Sequence, residues 1–66
     1  MTMTAEDFRR QRRRLQMSQI ELAAKIGVHP MTLSRWERGT VKVPMPVAQL
    51  IELLDREHRR ASRSER

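Results

Sequence analysis

One stretch in the middle of the chain constrains its fold more than any other, SQIELAAKIGVHPMTLSRWERG. Ser18 opens the stretch and Glu21 follows three residues later, which is the capping-box spacing that begins a helix. Leu22 and Ile26 then recur at the spacing of one helical face. Gly27 can adopt the positive φ that ends a helix, so we expect a short helix between Ser18 and Gly27.

A second short helix follows the glycine. Pro30 suits its first turn, because the missing N–H would have no partner within the helix. Leu33 and Trp36 share one face and are predicted to be buried. The opposite face carries Met31, Ser34, Arg35 and Arg38. Two short helices joined by a tight glycine turn form a helix-turn-helix, which presents its second helix to a partner.

The charge of the chain indicates what that partner is. Among the 66 residues, 14 are Lys or Arg and eight are Asp or Glu, which leaves a net charge of +6. This balance in one small domain favours nucleic acid or an anionic membrane surface as partner, although charge can also serve solubility alone. The arginine run RRQRRR is either a solvated helix face or an arm that contacts nucleic acid.

The composition also excludes several classes of protein. Cysteine is absent, so neither a disulfide nor a thiolate metal site can support the core, and we expect a cytoplasmic protein. No apolar run approaches the roughly 20 residues that span a membrane, and the start of the chain lacks the apolar core of a signal peptide. We therefore expect no part of the chain to span a membrane.

The first helix is predicted to begin with a capping box at Thr4 and to run to about Leu15, which leaves residues 1–3 frayed. Arg12 shares the core-facing side of this helix with Leu15. A guanidinium in that position is costly unless it is paired. Glu37 is the carboxylate that we expect to pair with it.

The last helix follows a loop, TVKVPMP, whose prolines exclude regular structure. We expect this helix to begin near Pro46. Its apolar residues cover more than the roughly 100° that one core needs, so part of the stripe is predicted to bind a second copy of the chain. The dimer contacts would be Val47, Leu50, Ile51, Leu54 and His58. Residues 1–58 would form the domain, and residues 59–66 a basic, disordered tail.

From Phe8 to Leu54 the chain resembles the Cro/C1-type, or XRE, family of helix-turn-helix regulators from phages and bacteria. The resemblance is carried by Arg12, Leu15, Ser18, Gln19, Leu22, Ala23, Gly27, Val28, Leu33, Ser34, Trp36, Glu37, Arg38 and Gly39. It implies a compact bundle of four or five helices that binds operator DNA, usually as a homodimer, and that mostly represses.

The resemblance also implies roles for single residues. Family members contact bases from the positions that His29, Pro30, Met31 and Arg35 hold here, although Pro30 lacks a donor. They contact phosphate from the position of Gln19 and approach the DNA backbone with the loop that holds Arg38, Thr40 and Lys42. Two further residues lie beside this surface, and we assign Ser34 to the base contacts and Thr32 to the backbone contacts.

Three side chains of the second helix differ in what they can recognise. Arg35 is the strongest candidate, because a guanidinium bonds both O6 and N7 of guanine. Met31 either packs on a thymine methyl group or fills a gap among its neighbours. His29 replaces the small hydroxyl residue usual at this N-cap. It either meets a base or phosphate, more tightly when protonated, or stays a solvated cap.

Catalysis is not expected from this chain. The two histidines have no carboxylate or serine at a useful spacing, and Gly27 and Gly39 are too isolated to hold a phosphate. No metal site or cofactor is predicted. For Trp36 a core position is favoured over stacking on a base, because Phe8 is the only other aromatic residue.

These observations predict an all-α helix-turn-helix domain. Its core would comprise Phe8, Leu15, Leu22, Ile26, Val28, Leu33, Trp36, Leu50 and Leu54. We expect it to bind double-stranded DNA as a dimeric repressor of a near-palindromic operator. The alternative is an antitoxin-like module that binds a partner protein through its last helix and the exposed Ile20. Binding to lipid is disfavoured by the polar, capped helix that begins at Ser18.

Overall fold

Four helices follow one another in the computed structural model, which describes residues 3–64. They are α1 (Ala5–Arg14), α2 (Gln19–Ile26), α3 (Pro30–Arg38) and α4 (Met45–Ser64). No strand occurs between residues 3 and 64, so the prediction of an all-α domain is confirmed. Within the same range, no helix is both long enough and apolar enough to cross a membrane.

Both predicted capping boxes are present and set the start of α1 and α2. The Thr4 hydroxyl accepts a hydrogen bond from the Asp7 N–H (3.0 Å), and the Ser18 hydroxyl accepts one from the Glu21 N–H (3.1 Å). In return, each carboxylate accepts the backbone N–H of its cap residue. These backbone bonds, and then the cap hydroxyls, lower the pKa of Asp7 and of Glu21. The helix starts are therefore set by local chemistry.

The helix ends use left-handed backbone conformations. Gly27 ends α2 with a φ of +79° and Gly39 ends α3 with a φ of +78°. Gln16 has the same type of conformation after α1, with a φ of +60°, although a side chain disfavours it. The sequence has no glycine at this turn, so nothing in it marks the left-handed residue.

The core lies where α3 and α4 both pack against α1. Phe8 and Trp36 meet edge to face at its centre, with ring centroids 5.8 Å apart, and Trp36 is buried as predicted. The buried apolar residues are Met3, Phe8, Leu15, Leu22, Ala23, Leu33, Trp36, Val43, Ala48 and Ile51, and the partly buried residues against them include Ile26, Val28 and Leu54.

Two predictions about the edge of this core are wrong. Leu50 was expected in the core but is 37% exposed, because α4 packs on α1 with Ala48 and Ile51 buried instead. Met3 was expected to be frayed but is buried with the core cluster, and residues 1 and 2 lie outside the described residues. Met3 belongs to the same buried cluster as Trp36 and Val43, so packing holds its side chain in place although it lies near the start of the chain.

The predicted disordered tail differs from the structure as well. Helix α4 continues through Ser64, so residues 59–64 are helical, and residues 65 and 66 lie outside the described residues. No Gly or Pro interrupts the chain after Pro46, and Arg and Ala favour helices. Arg59 also lies 3.3 Å from the buried Asp55 carboxylate, one helical turn earlier.

Candidate nucleic-acid interface

Helix α3 presents one face to the protein and the other to solvent. Leu33, Trp36 and Glu37 are buried against α1 and α2. On the other side Met31 is 51% exposed, and Arg35 and Arg38 follow it at helical spacing, both exposed. His29 is exposed at the start of the helix, whereas Thr32 and Ser34 are half-buried. The structure thus leaves the side chains of His29, Met31 and Arg35 accessible to a partner.

His29 caps α3 through its ring. Its Nδ1 accepts a hydrogen bond from the N–H of Met31 at 3.0 Å. The ring nitrogen thus makes the cap in place of the small hydroxyl residue that is usual at this position. The imidazole therefore has a structural role at the edge of the exposed face.

A buried ion pair connects α3 to α1. Arg12 donates to both carboxylate oxygens of Glu37, at 3.1 Å from Nη2 to Oε1, and its Nη1 donates to the carbonyl of Met17 at 3.0 Å. The side chains of Arg12 and Glu37 are only 16% and 4% exposed. Arg9 adds a bond to the backbone carbonyl of Glu37 at 2.9 Å. This network fixes the exposed helix relative to the first one.

Gln19 belongs to the same network, which the sequence does not indicate. Its Nε2 donates to Oε1 of Glu37 at 3.0 Å, so α1, α2 and α3 meet at one carboxylate. An amide nitrogen carries two protons, and this bond uses one of them. The half-buried Gln19 thus has a second N–H that is compatible with the phosphate contact expected from the resemblance.

Exposed cations lie at the end of α3 and in the loop that follows it. Arg38 and Lys42 are exposed on either side of Gly39. Thr40 is exposed too, but its hydroxyl donates to the carbonyl of Arg35 at 3.1 Å. A hydroxyl has one proton, so Thr40 cannot donate to a phosphate while this bond is made.

The arginine run on α1 is mostly engaged within the protein. Arg10 lies 3.4 Å from Asp7, and Arg14 lies 3.5 Å from Asp55, while Arg9 and Arg12 bond to Glu37 as described. Because these contacts use the guanidinium groups within the protein, they favour the helix-face interpretation of the run over an arm that contacts nucleic acid.

The predicted dimer contacts differ in how far they are buried. Ile51 is fully buried in the core, so its assignment to a dimer interface is wrong. Val47, Leu54 and His58 are half-buried, the first two against the core. Leu50 (37% exposed) and Leu53 (45% exposed) form the outward apolar surface of α4, and Leu53 was not predicted as a contact. The apolar residues of α4 cover more than one helical face, and their spacing alone does not show which of them are buried and which are exposed.

No cluster of three or more His, Asp or Glu that could hold a metal ion occurs among the described residues.

A family model described as helix-turn-helix matches residues 8–54, more than two-thirds of the chain. Comparisons with curated proteins and with solved structures found no match.

Proposed function

The chain belongs to the XRE-type helix-turn-helix family of DNA-binding transcriptional regulators, and we propose that it is a homodimeric repressor of a near-palindromic operator. The observation that carries the proposal is the division of α3 into a buried face and an exposed one. Leu33 and Trp36 anchor the helix, while Met31 and Arg35 extend from it. Such a helix enters the major groove of DNA with base-contacting side chains outward.

The exposed side chains support different kinds of contact. Arg35 can donate two bonds to O6 and N7 of guanine, and Met31 offers an apolar surface to a thymine methyl group. Lys42 and Arg38 can pair with phosphates, which position a protein without reporting sequence. Gln19 adds a neutral donor for the backbone. Repression would follow because the bound protein covers promoter DNA.

Dimerisation would supply the second half of the recognition surface. One α3 offers few base contacts, and a two-fold dimer doubles them at half-sites about 34–36 Å apart. Leu50 and Leu53, each more than a third exposed on α4, are the apolar residues that we propose for the interface. A protein partner bound to the same surface, and to Ile20 at 69% exposure, is the antitoxin-like alternative.

The recognition proposal is tested by selecting bound sequences from a random DNA pool and then measuring affinity across a salt series. Arg35→Ala should weaken binding to the selected operator by about 1–3 kcal/mol and bind unrelated DNA nearly as wild type does. Lys42→Ala should weaken both DNAs equally and lower the salt slope by roughly one. Lys25→Ala, at the far end of α2 from Gln19, is the control for loss of one positive charge. Equal loss on both DNAs for Arg35→Ala would contradict base recognition by α3.

The dimer is tested with two variants that differ in the burial of the replaced residue. Leu53→Glu should keep the helical circular-dichroism spectrum but become a monomer in light scattering, and its operator affinity should fall. Ile51→Glu should unfold the domain, because it places a carboxylate in the core. A Leu53→Glu variant that remains dimeric would place the interface elsewhere. A wild-type monomer that binds no selected DNA would favour the alternative.

A further inference from the structure

The first turn of α3 leaves none of its backbone donors free. Pro30 has no N–H. The N–H groups of Thr32 and Leu33 both donate to the carbonyl of His29, at 3.0 and 3.2 Å. The remaining N–H, that of Met31, donates to Nδ1 of the same residue. His29 alone therefore satisfies the start of the helix, through its carbonyl and its ring.

This bond determines which ring nitrogen carries the proton. A nitrogen that accepts a hydrogen bond has a free lone pair, so Nδ1 is unprotonated and the proton of the neutral imidazole lies on Nε2. An imidazolium has protons on both nitrogens and could not accept the Met31 N–H. The expectation that protonation would strengthen DNA binding by His29 thus conflicts with the cap.

We propose that His29 is a specificity-determining residue whose Nε2–H donates to N7 of a purine in the major groove. This inference rests on the proposed function. The ring is exposed at the N-terminal end of α3, the part of a recognition helix that meets base edges. N7 of guanine and adenine is an acceptor there, whereas N4 of cytosine is a donor that a fixed N–H cannot bond.

The neutral ring favours a base over a phosphate. A phosphate carries a full negative charge and bonds most strongly to a cationic donor, whereas a ring whose Nδ1 accepts the Met31 N–H is a neutral donor. A base edge is uncharged and can accept a hydrogen bond from the neutral ring. The cap and the base contact are therefore compatible in one tautomer, and the cap holds the ring in that tautomer before DNA arrives.

The test separates capping from recognition with His29→Ser. Serine is a strong N-cap residue, so thermal unfolding of this variant should match wild type, but its hydroxyl is too short to replace Nε2. Affinity for the selected operator should fall about 3- to 10-fold. Operators with 7-deazapurine at single positions should identify one purine per half-site whose N7 matters. Losing that N7 should weaken wild type by the same factor and leave His29→Ser unchanged.

Long-range ¹H–¹⁵N spectra of the free protein at pH 8 provide a second readout. The His29 signal, identified by its loss in His29→Ser, should show the Nε2–H tautomer, and the Nδ1–H tautomer would overturn the proposal. Equal responses of wild type and His29→Ser to every 7-deazapurine would overturn it too, as would a His29-dependent loss seen only with methylphosphonate linkages. Failure to enrich any sequence would overturn the proposed function, and this inference with it.

Discussion

Two carboxylates of this domain are equally buried but very differently bound. Glu37 and Asp55 are each 3% exposed. Glu37 receives hydrogen bonds from Arg12 and Gln19, and Arg12 is itself largely shielded from water. Asp55 lies 3.3 and 3.5 Å from two arginines that are about half exposed, and within the described residues its Oδ1 makes no hydrogen bond.

The comparison shows that burial alone does not define the role of a charge. Glu37 connects α1, α2 and α3, so its network sets the position of the helix that carries Arg35. Asp55 pairs with Arg14 at the end of α1 and with Arg59 on its own helix α4, through flexible side chains that water can solvate. The cost of removing the carboxylate depends on whether its arginine partner stays buried without a counter-charge. The partner of Glu37 would be left inside the protein, whereas the partners of Asp55 would not.

The largest effect is therefore expected for Glu37→Ala. Arg12 would remain buried without its partner, at a cost of about 3–5 kcal/mol. For a small domain that is a large part of the total free energy of unfolding, and urea titration followed by circular dichroism should show a much lower midpoint. The double variant Arg12→Met with Glu37→Leu is the matched control and should recover most of the loss, because it removes both charges. Wild-type stability of Glu37→Ala together with loss of DNA binding would instead make Glu37 a contact residue.

A smaller effect is expected for Asp55→Ala. Arg14 and Arg59 can turn into water, and the desolvation cost of the carboxylate disappears with it. The free energy of unfolding should change by less than about 1 kcal/mol. Asp55→Asn keeps the shape of the side chain and should behave alike. A loss as large as that of Glu37→Ala, in the same titration, would show that the two sites are equivalent after all.

The smallest effect concerns the exposed capping carboxylates, which extend the comparison to charges that are not buried. The pKa values of Asp7 and Glu21 are lowered from 3.8 and 4.5 by bonds to Thr4 and Ser18. Each therefore stabilises the fold above its ordinary pKa and loses that contribution as the pH falls through the lowered value. Asp7→Asn with Glu21→Gln keeps the acceptor oxygens and should lose less stability between pH 6 and pH 3 than wild type does. Identical urea midpoints of both proteins across that range would refute the linkage.

Short-range chemistry accounts for the features that the sequence alone determined. The capping boxes, the glycine ends of α2 and α3 and the buried positions Leu33 and Trp36 all follow from bonds or spacings within a few residues. The pairing of Arg12 with Glu37 is not short-range, because 25 residues separate the two, but it was predicted because a charge on a core-facing stripe needs a partner. These local signals were enough to predict the helix-turn-helix and its exposed face.

Tertiary packing decided the rest, because several arrangements satisfied the same local pattern. The apolar residues of α4 cover more than one face, and only contact with α1 placed Ile51 inside and Leu53 outside. Gln19 could equally have faced water until the folded chain brought Glu37 within 3.0 Å of its amide. Local sequence set the starts of α1, α2 and α3 and the glycine ends of α2 and α3, but not the end of α4. Which side of a helix is buried depends on its contacts with elements far away in the chain, and the local spacing of apolar residues does not show it.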